Sequence, residues 1–142
     1  MMAEKSTSCD RPGCSRCADT KDLDFDFTMA FQPIVNCRDQ RVFGYEALVR
    51  GKNNETAYSI ISRINDDNRY AFDQQCRVTA IALAAKLGID SMLSINFLPN
   101  AIYKPELCIR TTFEAAKQYG FPTERIMFEF TEVEKIEDSN HI

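Results

Sequence analysis

"GYEALVRG", residues 44–51, sets Glu46 in the middle of a run that otherwise reads as a buried strand. "MLSINF" at 92–97 does the same with Asn96, and "RIMFEFTE" at 125–132 with Glu129. In a parallel sheet covered on both faces, strands read as nearly continuous apolar runs. Each of these runs breaks that rule near its C-terminal end. Alternation along a strand sorts the breaks by face: Glu46 with Arg50, Ser94 with Asn96, Glu129 with Thr131.

The surrounding pattern places these strands in an α/β order. "FTMAFQPIVN" (27–36) and "RVFGYEALVR" (41–50), separated by the polar "CRDQ", predict an antiparallel hairpin. "NETAYSIISRIND" (54–66) follows with Ala57, Ile60, Ile61 and Ile64 at helical spacing. In "AFDQQCRVTAIALAAKLG" (71–88), Phe72, Cys76, Thr79/Ala80, Leu83 and Leu87 form one stripe and Gly88 is a stop. The strand "SMLSINF" (91–97), the helix "KPELCIRTTFEAAKQYG" (104–120) and the strand "RIMFEFTE" complete the series. Strands alternating with helices predict a parallel sheet with covering helices. Residues 1–24 are polar and lack apolar periodicity, so they are expected to form a tail separate from the domain at 25–142.

Composition narrows the classes. The chain has 142 residues, 44% of them hydrophobic, which is enough for one domain with a core. A net charge of −4 argues against gripping a nucleic-acid polymer through a broad basic surface. No run reaches the ~18 apolar residues of a membrane span, and the first residues hold no apolar signal region. A cytoplasmic protein with no membrane contact is expected, and in that setting six cysteines read as thiols or metal ligands before disulfides.

Two carboxylates on neighbouring strands repel unless a cation lies between them. With the Asn96 amide oxygen they make a set of hard donors suited to Mg²⁺, Mn²⁺ or Ca²⁺. The C-terminal ends of barrel strands are also where α/β barrels carry their chemistry. The alternative reading is that these residues only cap strand ends in partly solvated loops.

At these residues the sequence resembles the EAL-domain family, the bacterial phosphodiesterases that linearise cyclic di-GMP. "FQPIVN" (31–36), "GYEALVRG" with Glu46-Ala47-Leu48, "LSINFLPN" (93–100) and "FEFTE" (128–132) are similar to four of its motifs, in order. The resemblance implies the first half of a TIM-like (β/α)8 barrel with an antiparallel first strand. It implies that Glu46, Asn96 and Glu129 hold Mg²⁺ or Mn²⁺. Gln32, Leu48 and Arg50 would contact the dinucleotide, and Glu132 would steady a loop near the metal site and a homodimer interface. The implied reaction is metal-assisted attack of water on a phosphodiester, giving linear pGpG; the metal polarises the phosphoryl oxygen and acidifies bound water.

Two departures stand out. Leu98 occupies a position where many family members have Ser, and the family's later motifs, including paired aspartates and a lysine near the attacking water, are absent. A complete α/β barrel takes roughly 200–250 residues or more. The chain alone is therefore expected to be inactive, and a degenerate EAL domain that senses cyclic di-GMP or binds a protein partner is the competing function.

Among the cysteines, Cys9, Cys14 and Cys17 are spaced C-x4-C-x2-C, with Cys37 in the hairpin turn. The four are a candidate Zn²⁺ or redox site, the alternative being a reduced, disordered tail. Cys76 and Cys108 fall on apolar helix stripes and are expected in the core. His141, the lone histidine, sits at the chain's end.

Overall fold

Four polar residues turn the first β run back on itself. Asn36 and Asp39 close the turn with side-chain oxygens that accept from the backbone N–H groups of Arg38 (3.0 Å) and Arg41 (3.1 Å). The computed structural model describes residues 23–98 and 105–130, and the side chains of all of these except 105–108. Strand β1 (Thr28–Asn36) pairs antiparallel with β2 (Arg41–Arg50), with a register shift at Ile34/Val35. Helices α1 (Ala57–Ile61) and α2 (Arg69–Lys86) lead to β3 (Met92–Phe97), which runs parallel to β2. Helix α3 (Pro105–Tyr119) and a 3-10 turn (Thr123–Arg125) then lead to β4 (Ile126–Phe130), parallel to β3. The strand order in the sheet is β1-β2-β3-β4.

Both long helices end the same way. Gly88 and Gly120 adopt φ of +70°, the left-handed conformation that glycine takes without steric cost. Beyond each, the next residue's N–H reaches back into the last turn: Ile89 to the Ala84 carbonyl (3.0 Å) and Phe121 to that of Ala116 (2.8 Å). Carbonyls that the helix leaves unpaired are thereby satisfied.

The core lies between the sheet and these helices. Leu93 and Ile95 of β3 and Ala47 of β2 pack against Ala80, Ile81 and Ala84 of α2 and Ala115, Ala116 and Phe121 around α3. The alanines let the helices approach the sheet closely. A second cluster holds Phe25, Phe27, Ile60, Phe72 and Cys76.

Two expectations are corrected. The helix read over 54–66 is confined to Ala57–Ile61, capped by Thr56, whose hydroxyl accepts from Ser59 N–H (3.2 Å). Downstream, the Asn65 side chain accepts from the N–H groups of Asp67 and Asn68, making a closed turn in place of further helix. Ile61 is consequently exposed while Ile60 is buried. On α2, Leu87 is 66% exposed because the helix stops at Lys86 and Leu87 already belongs to the cap. Leu23–Phe27, ahead of β1, form no strand, and Phe25 and Phe27 insert into the second cluster. The polar stretch 65–70 is a connection between helices, with Arg69 and Tyr70 opening α2.

Cys37 is exposed in the hairpin turn and Cys76 is buried in the second cluster. Burial, reinforced by the nearby Asp73 charge, pushes the Cys76 thiol well above its ordinary pKa, with Arg77 opposing the shift. The reactive form is the thiolate, so Cys76 is doubly protected. In the native protein iodoacetamide should label Cys37 rapidly and Cys76 only once the chain is unfolded, as peptide mass mapping would show. Labelling of Cys76 at the rate of Cys37 would contradict this packing.

Candidate functional site

Because side chains alternate along a strand, the face of β3 opposite Leu93 and Ile95 presents Ser94 and Asn96. Register then sets the row. Gln32 on β1 pairs with Glu46 on β2, Glu46 with Ser94, and Asn96 with Glu129 on β4. Gln32, Glu46, Ser94, Asn96 and Glu129 therefore lie across one face of the sheet, the face turned away from the helices.

Their contacts run diagonally to the register. The Asn96 side-chain N–H donates to a Glu46 carboxylate oxygen at 3.0 Å, although Glu46 is opposite Ser94. The Ser94 hydroxyl donates to Glu129, although Glu129 is opposite Asn96. Ser94 is fully buried, Asn96 and Glu46 are half-buried, and Glu129 and Gln32 are exposed. The expectation of two carboxylates on neighbouring strands is thus corrected: Glu46 lies on β2 and Glu129 on β4, with β3 between them, and Glu129 is exposed on the edge strand of the described sheet.

Among the described residues neither Glu46 nor Glu129 takes part in an ion pair. Two carboxylates on one face, each met by one neutral donor among the described residues, leave several lone pairs open. With the Asn96 carbonyl oxygen, which stays available when its N–H donates to Glu46, the donor set suits a hard divalent cation. No group of three or more His, Cys, Asp or Glu able to hold a metal occurs among the described residues. The fit therefore rests on two carboxylates and an amide, and other donors would have to come from outside this set.

Arg50, at the end of β2, is half-buried and donates from Nη1 to the Val49 carbonyl (2.7 Å). With Leu48, Asn96 and Leu98 it lines a mostly apolar cavity of about 190 Å³ between the strand ends and α1 and α2. The loop after Arg50 is closed by Glu55. Its carboxylate accepts from Asn53 N–H (2.8 Å), and its backbone carbonyl accepts from Gly51 N–H (2.9 Å). Backbone N–H groups of Glu55 itself and of Asn53 hold this carboxyl below its ordinary pKa.

One feature of this region has no counterpart in the sequence reading. Asp73 and Arg77 of α2 form a buried ion pair. Asp73 also accepts from the Leu98 N–H (3.1 Å), while Arg77 donates to the Thr112 hydroxyl (3.0 Å) and lies 4.3 Å over the Phe97 ring. In sequence, Asp73 and Arg77 look like an ordinary solvated i,i+4 pair; the signal was their place beside Phe72 and Cys76 on the apolar stripe. Of the other singled-out residues, Cys37 is a free, exposed thiol. Cys9, Cys14, Cys17, Thr131, Glu132, His141 and the side chain of Cys108 lie outside what is described. No described helix is long and apolar enough to cross a membrane.

The EAL domain family matches residues 21–142. A standalone EAL protein from Vibrio cholerae, solved bound to c-di-GMP, is 78% identical and superposes with a TM-score of 0.78 over 84% of this chain and 50% of its own. Klebsiella pneumoniae BlrP1, solved with calcium and cyclic di-GMP, is 28% identical with a TM-score of 0.69, over 76% of this chain and 28% of its own. The blue light- and temperature-regulated antirepressor BluF of Escherichia coli is 29% identical over 75% of this chain and 27% of its own length. The chain thus spans half the length of the Vibrio protein and about a quarter of the other two. Its mixed sheet, antiparallel at β1 and parallel thereafter, is the first half of the EAL TIM-like barrel, and the chain belongs to the EAL domain family.

Proposed function

We propose that this chain supplies the first half of the active site of a cyclic di-GMP phosphodiesterase that opens the dinucleotide ring to linear pGpG. The observation that carries this reading is the row of Gln32, Glu46, Asn96 and Glu129 on one sheet face, with both carboxylates lacking a cationic partner among the described residues. Support comes from the Vibrio relative, solved with c-di-GMP, and from BlrP1, solved with cyclic di-GMP and calcium or manganese.

In this reading Glu46, Asn96 and Glu129 hold Mg²⁺ or Mn²⁺, which when bound draws charge from the scissile phosphate and acidifies a water. The Asn96 side-chain N–H holds one Glu46 carboxylate oxygen and so fixes the orientation in which Glu46 would serve as a ligand. Ser94 does the same for Glu129. Arg50 swings from the Val49 carbonyl to the dinucleotide phosphate, which a guanidinium meets with planar paired donors. Leu48 offers the cavity wall, Gln32 contacts the dinucleotide from β1, and Glu132 steadies a neighbouring loop. Water adds across one P–O bond: its oxygen joins phosphorus and the leaving ribose oxygen takes up a proton. The complete protein acts as a homodimer.

A second reading is a non-hydrolytic EAL module that binds the dinucleotide or a protein. The E. coli relative favours it, being named an antirepressor. Turnover separates the two. Joining this chain to the second half of the Vibrio protein gives a complete barrel for assay. There Glu46→Ala should abolish hydrolysis of cyclic di-GMP with Mg²⁺ or Mn²⁺ while leaving circular dichroism unchanged. Wild-type turnover in that variant would sink the assignment.

Arg50→Ala should weaken binding by ~1.5–3 kcal/mol, the usual worth of a hydrogen bond to a charged group. Calorimetric titration of cyclic di-GMP in Ca²⁺ measures it, and an unchanged affinity would leave Arg50 with its backbone contact alone.

Residues 1–142 expressed alone should not hydrolyse cyclic di-GMP and should self-associate. Among the described residues nothing pairs with the outer edge of β4, where Phe130 is exposed, and an unpaired parallel edge invites association. Sedimentation velocity and a phosphodiesterase assay test this; a monodisperse, active monomer would refute it.

A further inference from the structure

Asn96 occupies a precarious place in the sheet. The ladder between β2 and β3 ends at Ala47 and Ile95, one residue before it, and beyond that point β3 pairs only with β4, the edge strand of the described sheet. Strand ends held on one side fray. Yet the Asn96 amide must keep one orientation to hold Glu46 at 3.0 Å.

The helix layer supplies the missing restraint. Immediately after Asn96, the Phe97 ring lies under the Arg77 guanidinium, and Leu98 N–H donates to Asp73. Asp73 and Arg77 are 3% and 2% exposed, and they are tied to each other and, through Thr112, to α3. Two consecutive residues on the C-terminal side of Asn96 are thus gripped by one buried ion pair anchored in two helices. A helix-packing salt bridge alone would have no need of the Leu98 amide. Asp73 divides its oxygens: Oδ2 goes to Arg77 and Oδ1 to the strand end.

We propose that Asp73 is a positioning residue, which through Leu98 N–H fixes the end of β3 and thereby the Asn96 amide that orients Glu46. Arg77 holds Asp73 in place while it does so. The inference deepens the reading of Glu46, Asn96 and Glu129 as metal ligands and rests on it for its functional consequence. The mechanical claim, that Asp73 sets Asn96, stands on its own. Residues behind metal ligands commonly govern affinity by about 10–100-fold when removed.

The test uses the complete barrel with three variants. Asp73→Ala removes the acceptor. Leu98→Pro removes the donated N–H, along with the Leu98 side chain, and leaves both Asp73 and Arg77 in place, so it covers the case in which Asp73→Ala fails to fold. Thr112→Val loosens the ion pair from α3 without touching Leu98, and is the control for a merely structural role. The primary readout is the Asn96 side-chain amide in ¹⁵N spectra; the second is Mn²⁺ alone, titrated by electron paramagnetic resonance. Asp73→Ala and Leu98→Pro should speed exchange of the Asn96 amide protons with water and weaken Mn²⁺ binding by about tenfold or more. Thr112→Val should do neither, whatever its effect on thermal stability. An unchanged Asn96 signal in Leu98→Pro, or an equal change in Thr112→Val, overturns the proposal. If wild-type protein binds no Mn²⁺, the metal reading fails, and the Asn96 signal still decides the positioning role.

Discussion

Everything in this half-barrel depends on the alternation of six residues in β3. Leu93, Ile95 and Phe97 are buried, and the first two face Ala80, Ile81, Ala84 and Ala116 of the helix layer. Ser94 and Asn96 face the other way and carry the candidate site. A slip of one residue would bring Asn96 among the alanines and turn Ile95 toward the carboxylates. Burial of a large apolar side chain is worth about 1.5–3 kcal/mol, so three on one face hold the register far more firmly than the polar contacts do. The core therefore sets the geometry of the site, and the polar residues inherit positions they need not stabilise themselves.

The acidic residues near β3 meet their surroundings in two opposite ways. Asp73, in the helix layer, is matched by a full cationic partner and by a backbone donor. Breaking such a pair leaves an uncompensated buried charge and costs ~3–5 kcal/mol, which marks it as structural support. Glu46 and Glu129 each receive one neutral donor and face no Lys or Arg among the described residues. A charge left under-neutralised among the described residues is an electrostatic demand on something else. The difference in partners, with carboxylates common to both, separates scaffold from candidate site.

How much of this was legible in the sequence follows from what each signal measures. The hairpin, the parallel order and the polar row were legible because strand alternation is local and Glu46, Ser94, Asn96 and Glu129 interrupt otherwise apolar runs. The extent of α1 was not: Ile64 kept helical spacing, but Asn65 and Asn68 satisfied the backbone through side chains and ended the helix early. Leu87 misled because periodicity does not register where a cap begins. Asp73 and Arg77 were passed over because an i,i+4 pair reads the same whether it faces solvent or Thr112 and Phe97. The exposure of Glu129 depends on which strand lies beside it, and no local pattern carries that information.

That exposure links closure of the barrel to the demand for a cation. On the edge strand β4, Glu129 sees water, which weakens its repulsion of Glu46. The repulsion between two like charges is several-fold stronger at the effective dielectric near a protein surface than in bulk water. A further strand alongside β4 would exclude solvent from the row and raise the cost of leaving the two carboxylates uncompensated. It would strengthen their attraction for a divalent ion by the same change in dielectric. A divalent ion held by both would offset the repulsion that closing the barrel creates, so each step would make the other more favourable. The polar row is tolerable in an open sheet because water screens it, and the candidate site would gain its pull on a cation as that screening is removed.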